Sequence, residues 1–229
     1  MSVSPPKAVV FDMDGLMFNT EDVYWHVGSE VLRRRGREYT RELCHAMMGC
    51  TPRSAFQTMI QWHALDDSCE QLARESEEVF IRLLDDYLAP MPGLLDLLAV
   101  LETAGIPKAI ATSSQPRLVD AVLTRFQMQP RFRFILTADD VVHGKPDPEV
   151  YLQAARRFDL VPGQILVLED SQNGCRAAAA AGAFTVAVPG EHSRTQDFQV
   201  ANMVIDSLAD PRLYQSLGLE PKHKAAGAG

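Results

Sequence analysis

The sequence predicts an α/β protein: a Rossmann-like parallel sheet with helices on both faces, carrying an inserted all-helical subdomain. Two observations lead there. Six short β-rich runs alternate with segments whose apolar residues recur at helical spacing, a pattern that implies βαβ units and therefore parallel pairing. Residues 19–89, by contrast, show helical periods and no convincing strand.

The first run, 8–11, is continuously apolar, as a strand buried on both faces should be. In the insertion, Val23, Val27 and Val31 share one helical face. Leu72, Val79, Phe80, Leu83, Leu84 and Tyr87 share another, opposite a face carrying Glu75, Glu77, Glu78, Asp85 and Asp86 that reads as solvated surface. Pro90 and Pro92-Gly93 mark the return of the chain. Leu94, Leu97, Leu98 and Leu101 form a helix ended by Gly105 and Pro107, and 108–111 is the second strand. Leu118, Val119, Val122, Leu123 and Phe126 follow as a helix, then a strand at 134–136 and a helix through Val150, Tyr151, Ala154, Ala155 and Phe158. The strand 165–168, an alanine-rich helix stopped by Gly182, and strands at 184–188 and 203–205 complete the order. The expected division is a core of 1–18 and 90–215, a helical unit of 19–89, and a flexible tail of 216–229.

Composition limits the function. The chain has 229 residues, 46% hydrophobic and 23% charged, which fits a folded globular protein rather than a disordered one. Its 22 Lys and Arg against 30 Asp and Glu give a formal charge of −8, which argues against broad binding to nucleic acid or an anionic membrane. No apolar run approaches the roughly 18 residues of a membrane span, and no signal-peptide pattern opens the chain. A cytoplasmic protein, monomeric by default, is expected. Cys44, Cys50, Cys69 and Cys175 lack metal-ligand spacing and read as reduced apolar fillers. Arg33-Arg34-Arg35-Gly36 reads as a helix C-terminus favoured by its dipole and cap.

The chemistry-bearing residues follow the strands. Asp12 and Asp14, alternate residues of Asp12-Met13-Asp14-Gly15, can share a face at a strand's C-terminal end, where open α/β sheets place ligands. Two such carboxylates suit a hard cation, but taken alone the motif serves equally as an acidic turn capping a helix. Three further loops tip the balance. Thr112-Ser113-Ser114 can hold an anion, Lys145 stands on the loop Gly144-Lys145-Pro146-Asp147-Pro148, and Glu169-Asp170-Ser171 adds a second acidic pair. Asp147 and Ser171 also read as N-caps, with Pro148 at the first helical position. Together the loops describe a site for a metal ion and a phosphate.

The order DMDG, TSS, GKPDP, EDS resembles the haloacid dehalogenase superfamily, and the helical insertion resembles its cap. The likeness runs from Val9 to about Ile205 and is strongest to the β-phosphoglucomutase-like branch, which includes pseudouridine-5′-phosphate phosphatase. That resemblance implies Asp12 as nucleophile and Asp14 as general acid and base. It implies Mg²⁺ held by Asp12, the Asp14 carbonyl and Asp170, with Glu169 acting through water. Thr112, Ser113 and Lys145 would bind the phosphoryl oxygens, with Gly15, Thr20, Ser114 and Arg53 beside the substrate. Departures from the branch are Asn19 before Thr20, Tyr24 where mutases carry a His, Gly49-Cys50-Thr51-Pro52 with Arg53 one place late, and Gln115 in place of a Lys. The missing cations favour a Mg²⁺-dependent phosphatase of small phosphorylated metabolites, such as sugar phosphates or nucleoside monophosphates. A β-phosphoglucomutase-type isomerase is the alternative, and a non-catalytic binding protein a more distant one. His26 and His63 beside Trp25 and Trp62, and Met47-Met48, read first as packing, while Glu191, His192 and Arg194 border the expected mouth.

Overall fold

The computed structural model of the chain describes residues 5–47 and 52–219. Met48, Gly49, Cys50, Thr51 and residues 220–229 of the expected 216–229 tail lie outside the described residues, whereas Ser216 ends a helix and Leu217 and Leu219 pack on the core. All six predicted runs form strands: β1 (Ala8–Phe11), β2 (Lys108–Ala111), β3 (Ile135–Leu136), β4 (Ile165–Glu169), β5 (Phe184–Ala187) and β6 (Met203–Val204). They pair in parallel in the order β3-β2-β1-β4-β5-β6. Phe11 lies opposite Ile110 on one side and Leu168 on the other, so the residues following β1, β2 and β4 emerge along one edge. β4 runs one residue further than its apolar pattern, because Glu169 still pairs with Ala187.

Side-chain alternation divides the core. Val9, Phe11, Ile110, Leu166 and Leu168 face helices α5 (Leu94–Thr103) and α6 (Pro116–Arg125) and the insertion. Val10, Ala109, Ala111 and Val167 face α7 (Glu149–Phe158) and α8 (Gln172–Ala181). A last short helix, α9 (Pro211–Ser216), covers the first face through Leu213, and Leu217 and Leu219 beyond it still pack there. Asp147 Oδ1 accepts the Glu149 amide at 3.0 Å, a capping bond, although Pro148 lies just outside the helix rather than at its first position. Ser171 caps α8 as its sequence suggests, its hydroxyl accepting the Gly174 amide at 3.1 Å.

The insertion holds α1 (Thr20–Arg33), α2 (Arg41–Met47), α3 (Pro52–His63) and α4 (Cys69–Tyr87). α1 packs along α4 through the two predicted stripes. Tyr87 is the exception, 41% exposed and stacked on His26. Ser68 and Gln71 close a capping box at the start of α4. The arginine run does more than cap α1. Arg35 Nη2 lies 2.7 Å from Asp67 Oδ1 and 2.6 Å from Glu75 Oε2, and Arg34 reaches Glu30 and Glu75. Three of the acids read as solvated surface are therefore ion-paired: Glu75 as described, Glu77 with Arg117, and Asp85 with Arg125. Hydrogen bonds from Arg33 and Arg34 hold the Glu30 carboxyl down at about 2.

Asn19 joins the outgoing and returning chains. Its Oδ1 accepts the Ala89 amide at 2.6 Å, its Nδ2 donates to the Tyr87 carbonyl at 3.1 Å, and its backbone N–H donates to the Ala89 carbonyl at 3.1 Å. Among the described residues, no helix is long and apolar enough to cross a membrane.

Candidate active site

The strand order reverses between β1 and β4, and ligands of doubly wound sheets bind outside the carboxyl ends at such a point. Asp12 is the first residue after β1, its amide donating to the Leu168 carbonyl at 3.0 Å. Lys145 Nζ donates to Asp12 Oδ1 at 2.5 Å, Glu169 Oε1 at 2.6 Å and the Ala111 carbonyl at 2.9 Å, so all three of its protons are engaged. Glu169 is wholly buried and also accepts from the Tyr151 hydroxyl and from Ser171 Oγ at 3.2 Å.

Asp14 faces the second strand's loop. Its Oδ2 accepts from Thr112 Oγ1 at 3.1 Å and Ser114 Oγ at 2.7 Å, while its Oδ1 is buried with no partner. Gly15 turns the chain at φ +74°, and a Cβ there would collide with the Asp170 carboxylate. The Gly15 amide donates to Thr20 Oγ1 at 3.2 Å.

Charge is concentrated here. One oxygen from each of Asp12, Glu169 and Asp170 falls within 4.8 Å of the others. Burial pushes the Asp12 carboxyl well up, and the nearby Glu169 and Asp14 add to the rise despite Lys145. Burial likewise raises Asp170, reinforced by Asp12 and Glu169. For Lys145, burial favours the neutral amine, but Asp12 and Glu169 outweigh it and hold the ammonium charged. Carboxylates in excess of a single ammonium, all offering hard oxygens, fit a divalent cation.

A cleft of about 470 Å³ opens beside this cluster, between the insertion and the sheet edge. Ser113, Ser114 and Gln115 line it from one side, Glu21, Tyr24 and Trp25 from another. No Lys or Arg lines it among the described residues, and residues 48–51 supply none. His192 does line it, with Nε2 3.3 Å from Asp22 Oδ1.

The fold thus gathers Asp12, Asp14, Gly15, Thr112, Ser114, Lys145, Glu169 and Asp170, with Ser113 on the cleft wall. Thr20 is fully buried and fastens the Gly15 turn from beneath rather than facing the cleft. Arg53 is not brought there: it is exposed on α3, where its carbonyl faces Cys69 Sγ at 3.8 Å. Trp25 and Met47, read as packing, also form cleft wall, whereas His26 turns away to stack on Tyr87. Glu191 and Arg194 are exposed. Sequence reasoning missed Tyr151. Its signal was a hydroxyl inside an otherwise wholly apolar buried stripe, which needs a partner. Glu21, in the first turn of α1, carried no motif.

Comparison with known proteins gives a consistent picture. A family model described as haloacid dehalogenase-like hydrolase matches residues 9–188. The chain is 33% identical over 176 residues to a phosphorylated carbohydrates phosphatase of Thermotoga maritima, covering 77% of this chain and 82% of that one. It is 34% identical over 209 residues to a Drosophila melanogaster protein described as a probable pseudouridine-5′-phosphatase, covering 88% and 89%. Among solved structures, CbbY from Rhodobacter sphaeroides in complex with phosphate superposes with a TM-score of 0.79 at 30% identity, covering 90% of this chain and 96% of that one.

Proposed function

The chain belongs to the haloacid dehalogenase-like hydrolases and is a phosphoric monoester hydrolase, and from that premise we propose that Asp12 and Asp14 divide the chemistry. An Asp12 carboxylate oxygen attacks phosphorus, the ester P–O bond breaks, and Asp14 delivers a proton to the departing oxygen. Water then attacks the aspartyl-phosphate, Asp14 takes its proton, and the Asp12–phosphorus bond breaks to release inorganic phosphate. Asp14 suits both duties because Thr112 and Ser114 hold one oxygen while the other has no partner. Lys145, fixed by Glu169 and the Ala111 carbonyl, offsets charge at the nucleophile, and Thr112 and Ser113 meet the phosphoryl oxygens. Mg²⁺ would be held by Asp12, the Asp14 carbonyl and Asp170, supplying the positive charge that this anionic meeting needs.

Helices α1–α4 act in this reading as a cap that excludes water from the cleft, and the substrates are small phosphorylated metabolites. A mutase must grip the distal phosphate of a bisphosphate, and a cleft wall without Lys or Arg among the described residues supports hydrolysis instead. The free thiols Cys44, Cys69 and Cys175 support a reducing, cytoplasmic setting, with a monomer as the simplest assembly. The observation carrying the proposal is the 2.5 Å contact of Lys145 with Asp12 amid the carboxylates. Asp12→Asn is expected to lower phosphate release from 4-nitrophenyl phosphate with Mg²⁺ by at least about 10³-fold, with circular dichroism unchanged. Activity retained in that variant would give the nucleophile's role to another group.

A further inference from the structure

The cleft changes character along its wall. Nearest the carboxylates it is polar: Ser114 Oγ lies 2.7 Å from Asp14 Oδ2, Ser113 and Gln115 adjoin it, and Glu21 stands in the first turn of α1. Elsewhere it is mostly apolar and rich in aromatic rings, with Ser76, Glu77 and His192 as polar exceptions. Tyr24 packs against Phe80 with ring centroids 4.7 Å apart, and Trp25 against Tyr39 at 5.2 Å. From α2 and α3 come Met47, Phe56 and Met59, and neither helix adds a charge or hydroxyl to the wall. The rings are held in place, since any Cβ on Gly28 would strike the Tyr39 ring.

Three physical consequences follow. Among the described residues, a second phosphate in this space would meet Glu21 and Glu77 and no Lys or Arg; the one basic side chain on the wall, His192, already faces Asp22, so a desolvated dianion is poorly paired. A hexose, hydroxylated on nearly every carbon, would leave hydroxyls unpaired against the apolar wall. A flat ring buries both faces among aromatic neighbours, while a short hydroxylated link reaches the polar groups beside Asp14.

Resting on the hydrolase reading of the same site, we infer that the leaving group is uncharged and ends in a flat aromatic ring joined to the phosphate through a short hydroxylated link. This is the nucleoside 5′-monophosphate class of phosphomonoester.

Uridine 5′-monophosphate, adenosine 5′-monophosphate and ribose 5-phosphate make the test, because they differ in the base alone; fructose 1,6-bisphosphate supplies the second charge. Binding is measured by calorimetry on the full-length Asp12→Asn variant, and phosphate release on the unaltered protein with Mg²⁺. The better nucleotide is expected to bind at least about tenfold more tightly than ribose 5-phosphate, with a similar gain in kcat/KM, and the bisphosphate to bind weakest. In Phe56→Ala the quotient of the nucleotide and ribose 5-phosphate kcat/KM values, which does not depend on the fraction of folded protein, falls toward one. Ribose 5-phosphate or the bisphosphate binding as tightly as the better nucleotide overturns the inference, even if phosphate is released from all four. A calorimetric preference for the nucleotide without release of phosphate from any of them upholds the inference and overturns the hydrolase mechanism.

Discussion

Gly174 shows what a single missing Cβ secures. It sits in the first turn of α8 directly against the Glu169 carboxylate, which any larger residue would strike. Glu169 in turn carries Lys145 and Tyr151, so the absent methyl keeps the ammonium aimed at Asp12. Gly174→Ala is expected to lower Tm, since overpacking costs roughly 1–3 kcal/mol and exceeds the gain in helix propensity. It is also expected to reduce kcat on 4-nitrophenyl phosphate by about tenfold or more; unchanged melting and turnover would show that the carboxylate relaxes freely. At this scale the sequence was legible wherever chemistry demands a residue type after a strand, as with Asp12, Lys145 and Asp170. The need of the Tyr151 hydroxyl for a partner was legible but the partner was not, because the ring satisfies the helical stripe and only the fold brings its hydroxyl to Glu169.

Between elements, long-range ion pairs do work that periodicity hides. Glu102 on α5 takes Arg131 at 2.8 Å and Lys108 of β2 at 3.0 Å, tying a helix to a strand that leads into the Thr112-Ser113-Ser114 loop. Hydrogen bonds from Arg131, then from Lys108, lower its carboxyl from 4.5 to about 2. A depressed folded-state value means stability that is present above about 4.5 and is lost as pH falls toward about 2. Glu102→Gln should therefore melt about 2 °C below the unaltered protein at pH 6, with the difference shrinking as pH falls through that window. Melting curves at several pH values check this, and a difference that does not vary with pH would rule out the carboxylate as its source. Strands and helices were legible because their periods are local. The partners of Glu75, Glu77 and Asp85 were not, because each cation lies on another element. Glu169 was read as the residue after a strand because a charge normally ends an apolar run, yet it closes β4.

For the whole molecule, the joint between insertion and sheet matters most. Where the resembling branch usually has Asp, Asn19 both donates to the Tyr87 carbonyl and accepts from the Ala89 amide, which a carboxylate cannot do. Asn19→Asp would set a negative charge against the Tyr87 carbonyl and Asp22, whose Oδ2 now receives the amide's N–H at 3.0 Å. The expected result is a KM raised about three- to tenfold with kcat less affected, together with faster proteolysis near residue 88. Unaltered KM and unaltered cleavage would show that the amide has no such role. The sequence flagged the departure at Asn19 but not its meaning, which depends on a returning chain some 70 positions away. Asn19 does not hold that joint alone: the Met91 amide donates to the Met17 carbonyl at 2.8 Å and Phe18 bridges Pro90, so the departing and returning passages run side by side as a short ribbon that keeps both roots of the insertion together.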